Sequence, residues 1–321
     1  MEIISKDRIQ IAADCLRDGG LVAFPTETVY GLGANALNPI AVAGIFEAKK
    51  RPTFDPLIVH ISDLSQLKSL FQQPVEPLVM QLAENFWPGP LTIVHKKSEI
   101  VPDIVTSGLD EVAVRFPSHP IALELIKLAG VPVAAPSANL FGQLSPTTHK
   151  HVAKQNMNID FIIESDNLEK TVGIESTVVS VENDVCTILR PGVITATDIE
   201  LAIPGVIVKN PGKNIKISSP GLLKSHYSPL KPLYFIDDIN NIPANAGIIL
   251  HKKIPEITFR NCIFTSETEN LLEVASNLFS ALHLMEENPE VTQIYIQKVV
   301  ENGIGIAIMD RLYKATHQYQ K

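Results

Sequence analysis

The side chains of this sequence that could do chemistry are cations and short polar groups, placed where apolar runs end. Thr26, Glu27 and Thr28 follow Leu21–Phe24, Lys49, Lys50 and Arg51 close a helical pattern, and His60 ends the run 56–59. Arg115 ends a second run, 111–114, Ser137 and Asn139 follow a third, 131–135, and Arg190 closes a fourth, 185–189. Loops at strand ends are where α/β proteins place their chemistry. Guanidiniums pair bidentately with phosphate or carboxylate. Cations gathered round a triphosphate would stabilise charge on a departing pyrophosphate, and positioning plus electrostatics can carry such a step without a protein nucleophile. The sequence has no GxxxxGK[ST] loop, GxSxG elbow or His/Cys cluster at metal-ligand spacing.

The elements that must position these groups follow from periodicity. Val22-Ala23-Phe24 reads as a buried strand stopped by Pro25, and Gly31-Leu32-Gly33 reads as a turn. Asn38-Pro39 is a cap followed by proline at the first helical position, which starts a helix running to Lys50. The spacing Gly31-x-Gly33-x-x-Ala36 is a loose dinucleotide fingerprint, rejected because PTET separates it from the strand and the helix signal waits until Asn38. In 111–115, Val112 and Val114 face one way and Ala113 and Arg115 the other, so Arg115 is either a surface arginine or a site residue. Ser145-Pro146 reads as another cap, whose following N–H groups would point at an anion. Ser137, Asn139 and Ser145 then lie on one strand-loop-helix unit suited to a phosphate or ribose, against the plain alternative of a capping serine.

Length and composition, 321 residues with 45% hydrophobic and 19% charged, suit a soluble chain of two domains. No apolar run approaches the ~20 residues of a membrane helix, and the start lacks a signal peptide's apolar segment, so a cytoplasmic protein is expected. Cys15, Cys186 and Cys262 are far apart and read as small buried hydrophobes. A net charge of −8 argues against nonspecific nucleic-acid binding. A hairpin is expected from 177–181 paired with 185–189, and 206–219 reads as a linker leading to His226-Tyr227. Beyond Lys231 alternating strands and helices imply a small covered sheet, with no catalytic constellation in it.

Seven segments in order, FPTETVYGLGANA, AKKRPTFDPLIVH, VRFP, PSANLFGQLSPTTHKHV, GIESTVVSV, LRPG and SPGLLKSHYSP, resemble the YrdC-like family in its long two-domain form. The resemblance implies an α/β fold: a twisted mixed sheet with flanking helices around a central cavity, plus a smaller C-terminal α/β, Rossmann-like domain. Boundaries at 1–205, 206–230 and 231–321 are expected for catalytic domain, linker or lid, and C-terminal domain. The implied enzyme is a nucleotidyltransferase joining L-threonine, bicarbonate or CO2, and ATP into L-threonylcarbamoyl-AMP and pyrophosphate. A partner transferase would then modify tRNA beside the anticodon. The resemblance implies that Thr28, His60, Arg115 and Ser176 hold threonine. Lys49, Arg51, Ser137, Asn139, Ser145, Arg190, His226 and Tyr227 would hold ATP, with Lys49, Arg51 and Arg115 catalytic and His226-Tyr227 acting as a lid. Mg2+ is expected with ATP, its ligands unknown, and Asp55 replaces the asparagine common in the family. Truncation before Ser219 is expected to impair activity while the first domain stays folded. The alternatives are a carbamoyl-adenylate-forming enzyme that uses carbamoyl phosphate, and an RNA-binding module without catalysis, which few aromatics and the acidic total disfavour.

Overall fold

The computed structural model describes residues 1–165, 172–210, 226–254 and 259–319. Eleven strands form one mixed sheet. They are β1 (Glu2–Ile4), β2 (Val22–Phe24), β3 (Gly31–Asn35), β4 (Ile58–His60), β5 (Leu91–Lys96), β6 (Glu111–Arg115), β7 (Val133–Ala134), β8 (Phe161–Ile163), β9 (Thr177–Glu182), β10 (Val185–Arg190) and β11 (Ile207–Lys209). Their spatial order is β1-β8-β2-β3-β7-β4-β6-β5-β9-β10-β11. Four further strands, β12 (Leu233–Phe235), β13 (Ala246–Leu250), β14 (Cys262–Phe264) and β15 (Gln293–Ile296), make a parallel sheet in the order β12-β15-β13-β14. This is the α/β architecture expected from the resemblance.

Local rules account for most elements. The Asn38 side chain accepts from the N–H groups of Ile40 and Ala41 and starts the helix Pro39–Lys49, which ends on Lys50 in the left-handed region. The helix Pro120–Ala129 stops at Gly130, also left-handed. The β9–β10 turn carries Asn183 and Asp184, both at positive φ, as a tight hairpin demands.

Three expectations fail for identifiable reasons. Gly31-Leu32-Gly33 is not a turn but the start of β3, antiparallel to β2. Gly33 is needed for closeness, because a Cβ there would meet Val133 Cγ1 at 2.7 Å and Phe24 Cε1 at 2.8 Å. Ser145-Pro146 starts no helix: the helix is His149–Lys154, capped by Thr148, and the Pro146 carbonyl accepts from Tyr30 N instead. That proline reads like a first helical residue, but Thr148, two residues later, offers the better cap. The linker expected from Val206 opens as β11, parallel to β10, while 211–225 lie outside the described residues.

Apolar residues on one face of the large sheet join the helices Pro39–Lys49 and Pro77–Phe86 in the main core. The helices Ile9–Arg17 and Pro120–Ala129 pack with Val22 and Phe24 in a second cluster. A small cluster of Ile58, Val94, Ala113, Val178 and Leu189 confirms the alternation of β6, with Val112 and Val114 in the main core instead. Val29, Leu144 and Ile174 belong to the C-terminal cluster, packed with Tyr227, Leu278 and Phe279 across the seam between the sheets. Of the cysteines only Cys186 is fully buried; burial pushes its thiol up to about 12 and that of half-buried Cys15 up to about 11. Among the described residues, no helix is long and apolar enough to cross a membrane.

Candidate active site

Strand register builds the floor of the site. His60 on β4 stands beside Arg115 on β6, and Arg115 beside Thr92 on β5. β5 then pairs with β9, which brings Ser176 within 2.8 Å of Thr92, oxygen to oxygen. The β2–β3 connection closes over this row. Its Thr28 hydroxyl accepts from Arg115 Nη1 at 3.0 Å, and Glu27 forms an ion pair with Arg115 Nη2 at 2.7 Å. Thr26 braces the connection through Thr28 Oγ1 at 2.8 Å and the Val29 carbonyl at 2.6 Å. Arg115 Nε, also buried, has no hydrogen-bond partner among the described residues.

A small cleft of about 50 Å3 lies above this row. Thr28, His60, Arg115, Ser137, Ser176, Arg51, Arg190, His226 and Tyr227 all line it, so nine residues singled out in the sequence meet in one place. Arg190 donates to the Ser176 carbonyl from Nη2 at 2.9 Å and from Nε at 3.2 Å, and Nη2 also reaches the Ser176 hydroxyl at 3.1 Å. Arg51 donates to the carbonyls of Asp55 and Pro56 and pairs with the Asp55 carboxylate at 2.8 Å. Asp55 is therefore the buried counter-ion of Arg51.

Lys49, Asn139 and Ser145 stand behind the wall and do not line the cleft. Lys49 Nζ donates to the Ser137 and Asn139 carbonyls, which holds the 137–139 loop in place. Asn139 Nδ2 donates to the carbonyls of Leu140 and Gln143, and the Ser145 hydroxyl donates to Glu175 at 2.5 Å. Their types suited a phosphate, but the donors Lys49 Nζ, Asn139 Nδ2 and Ser145 Oγ all bond to the chain, while the acceptor Asn139 Oδ1 has no partner among the described residues. Sequence reasoning assigned no role to Thr92, Tyr30, Glu175 or Arg311. Thr92 was detectable as one hydroxyl in the apolar strand LTIVH; Arg311 resembles any exposed arginine of an amphipathic helix, and only the fold buries it.

Burial and charge set the protonation of the site. Burial would raise the Glu27 carboxyl, but Arg115 outweighs it and holds the group below the usual carboxylate value. Burial likewise works against ionised Glu175, which Arg311, Arg190 and the Ser145 hydroxyl nevertheless keep below its ordinary pKa. Burial, with Arg51 as the next cause, pushes Lys49 and His226 well below their ordinary values. Burial and then repulsion from Arg115 push His60 down to about 3, from an ordinary 6.5. Between those pH values the unfolded chain holds a proton that the folded chain lacks, so stability rises with pH across the window. Acidification below pH 6.5 should cost roughly 1.4 kcal/mol per pH unit from His60 alone. Urea denaturation at a series of pH values checks this: His60→Gln should show the shallower slope, and equal slopes would mean that folded His60 takes up the proton.

Among the described residues, the carboxylates at the cleft do not form a resident Mg2+ site. A hard divalent cation needs oxygen ligands not already claimed by cations. Glu27, Asp55 and Glu175 each have a guanidinium within 2.9 Å, from Arg115, Arg51 and Arg311 respectively. His151, His283 and Glu287 also cluster, but outside the cleft lining, with the two imidazoles stacked at 3.8 Å and Lys154 holding Glu287. Two nitrogen donors do not suit Mg2+.

The family model described as "Telomere recombination" (Sua5, YciO, YrdC) matches residues 14–192, and the model of the threonylcarbamoyl-AMP synthase C-terminal domain matches 194–316. A threonylcarbamoyl-AMP synthase of Pyrococcus abyssi is 42% identical over 98% of this chain and 96% of its own length. One from Bacillus subtilis is 41% identical over 96% of this chain and 92% of its own. The crystal structure of P. abyssi Sua5 complexed with L-threonine superposes with a TM-score of 0.87 at 38% identity, covering 99% of this chain and 98% of that one. A cleft on the large sheet closed by His226 and Tyr227, together with likeness over almost the whole length, leads to one conclusion: the chain belongs to the YrdC-like family of threonylcarbamoyl-AMP synthases, in its long two-domain form.

Proposed function

We propose that the cleft divides the synthase reaction between an amino-acid subsite on the strand floor and a nucleotide subsite along the basic wall. Arg115 takes the threonine carboxylate, with Thr28, His60 and Ser176 around it. The observation carrying this reading is the buried Arg115 Nε, a donor without a protein partner among the described residues, while Nη1 donates to Thr28 and Nη2 stands in an ion pair with Glu27. Such a donor is costly unless a ligand satisfies it. The complex of the P. abyssi relative with L-threonine supports threonine as the amino acid bound.

Arg51, Arg190, Ser137, His226 and Tyr227 hold ATP, and Lys49, Asn139 and Ser145 support that wall from behind. The neutral threonine amine attacks CO2 and gives up an N–H proton to water, leaving a carbamate, and a carbamate oxygen attacks the α-phosphorus. The bond to the bridging oxygen breaks, and pyrophosphate leaves with its electron pair. Arg51 and Arg190 stabilise the charge that builds on the departing group. Any Mg2+ would come with the nucleotide and be held by its phosphates and water, because guanidiniums already claim Glu27, Asp55 and Glu175. The mixed anhydride then passes to a partner transferase that modifies tRNA, and the work is done in the cytoplasm, where ATP and tRNA meet.

An omission series measuring pyrophosphate tests the reading. Release should require ATP, threonine and bicarbonate together and fall to background when any one is withheld. Release that ignores threonine but depends on carbamoyl phosphate would transfer the site to the other adenylate chemistry.

A further inference from the structure

One buried cation near the cleft has no part in the chemistry above. Arg311 lies on the helix Ile304–Thr316 of the C-terminal domain and has no exposed surface. Its Nε donates to Glu175 Oε2 at 2.9 Å and its Nη2 to the Glu175 carbonyl at 3.3 Å. Its Nη1 donates to the Pro191 carbonyl at 2.7 Å and to Asp310 Oδ2 at 2.8 Å. The other Glu175 oxygen accepts from Ser145. Glu175 immediately precedes Ser176, and Pro191 immediately follows Arg190. One guanidinium therefore grips both chains at the open end of the β9–β10 hairpin, where Ser176 and Arg190 enter the cleft. The two chains are close-packed at that point: a Cβ on Gly192 would lie 2.4 Å from Thr177 N.

We propose that Arg311 is a positioning residue: the C-terminal domain uses it to set where Ser176 and Arg190 stand in the cleft. The catalytic part of this inference rests on the roles proposed above for those two residues. Stability alone does not explain the arrangement, because a buried ion pair can often be exchanged for apolar groups without loss. What a guanidinium adds is a planar fork with fixed directions, able to hold acceptors on two chains at once. Lysine, with one nitrogen on a flexible stem, cannot hold both chains in that way.

The test uses the full chain. Arg311→Gln leaves Glu175 buried and unpaired and is at risk of not folding, so the deciding variant is Arg311→Met combined with Glu175→Gln, which removes both charges. The double variant should keep a thermal midpoint close to that of the unaltered chain, yet lose about 100-fold in kcat/KM, the scale expected of a misplacement near 1 Å. Arg311→Lys should likewise fold without recovering turnover. Hydrogen exchange in the double variant should quicken at 174–177 and 190–192 while the helix Leu271–Glu287 is unchanged. Full turnover in the double variant would overturn the proposal, since Arg311 would then serve only to neutralise Glu175. Unchanged exchange at those segments would overturn it too. That readout needs no catalysis, so an inactive unaltered chain would count against the proposed reaction and still leave the positioning decided.

Discussion

Arg115→Ala is expected to raise the threonine concentration for half-maximal pyrophosphate release at least ~100-fold, with a much smaller change in the ATP requirement, the scale of losing two charge-assisted hydrogen bonds at ~1.5–3 kcal/mol each. The same substitution leaves the Glu27 carboxylate buried without its ion pair. Breaking such a pair costs roughly 3–5 kcal/mol, so the alanine variant alone would confuse lost binding with lost folding. Combining it with Glu27→Gln separates the two: stability should return and the threonine requirement should not. Initial rates against threonine at saturating ATP, read beside denaturation curves, make the comparison. An unaltered threonine requirement in the folded double variant would remove Arg115 from the subsite.

How much of this was legible in the sequence depends on the range of the interaction involved. Helix caps are local, so Asn38 and Gly130 marked their helices correctly. The alternation of Val112, Ala113, Val114 and Arg115 also gave the right two faces, because period two is a property of the strand itself. Register is not local. Nothing in the letters around His60, Arg115 and Thr92 says that they lie side by side, and that pairing makes the floor of the cleft. Gly33 misled for the same reason, since the crowding it relieves comes from Val133 and Phe24, distant in the chain. Lys49, Asn139 and Ser145 had suitable types for a phosphate, but whether a donor faces a ligand or its own backbone is decided only when the loop folds. Arg311 is the extreme case, a residue whose partners are 136 and 120 positions away.

Residues 1–210 alone should lose at least ~1,000-fold in turnover and should also fold poorly, contrary to the expectation of an intact first domain. Val29, Leu144 and Ile174 are 7%, 1% and 0% exposed in the full chain, packed in the cluster that C-terminal residues dominate. At ~1.5–3 kcal/mol for each buried aliphatic side chain, uncovering three forfeits roughly 5–9 kcal/mol. That is comparable to the ~5–15 kcal/mol that holds a typical domain together. Truncation also removes His226 and Tyr227 from the cleft wall and Arg311 from Glu175, so nucleotide contact and hairpin placement fail together. A fragment that merely aggregates would not distinguish these effects. Polar replacements at the uncovered positions, Leu144→Ser and Ile174→Thr, should restore solubility to the fragment without restoring pyrophosphate release. If the soluble fragment turned over as fast as the full chain, the seam between the two sheets would be packing alone, and the second domain would have no part in the chemistry.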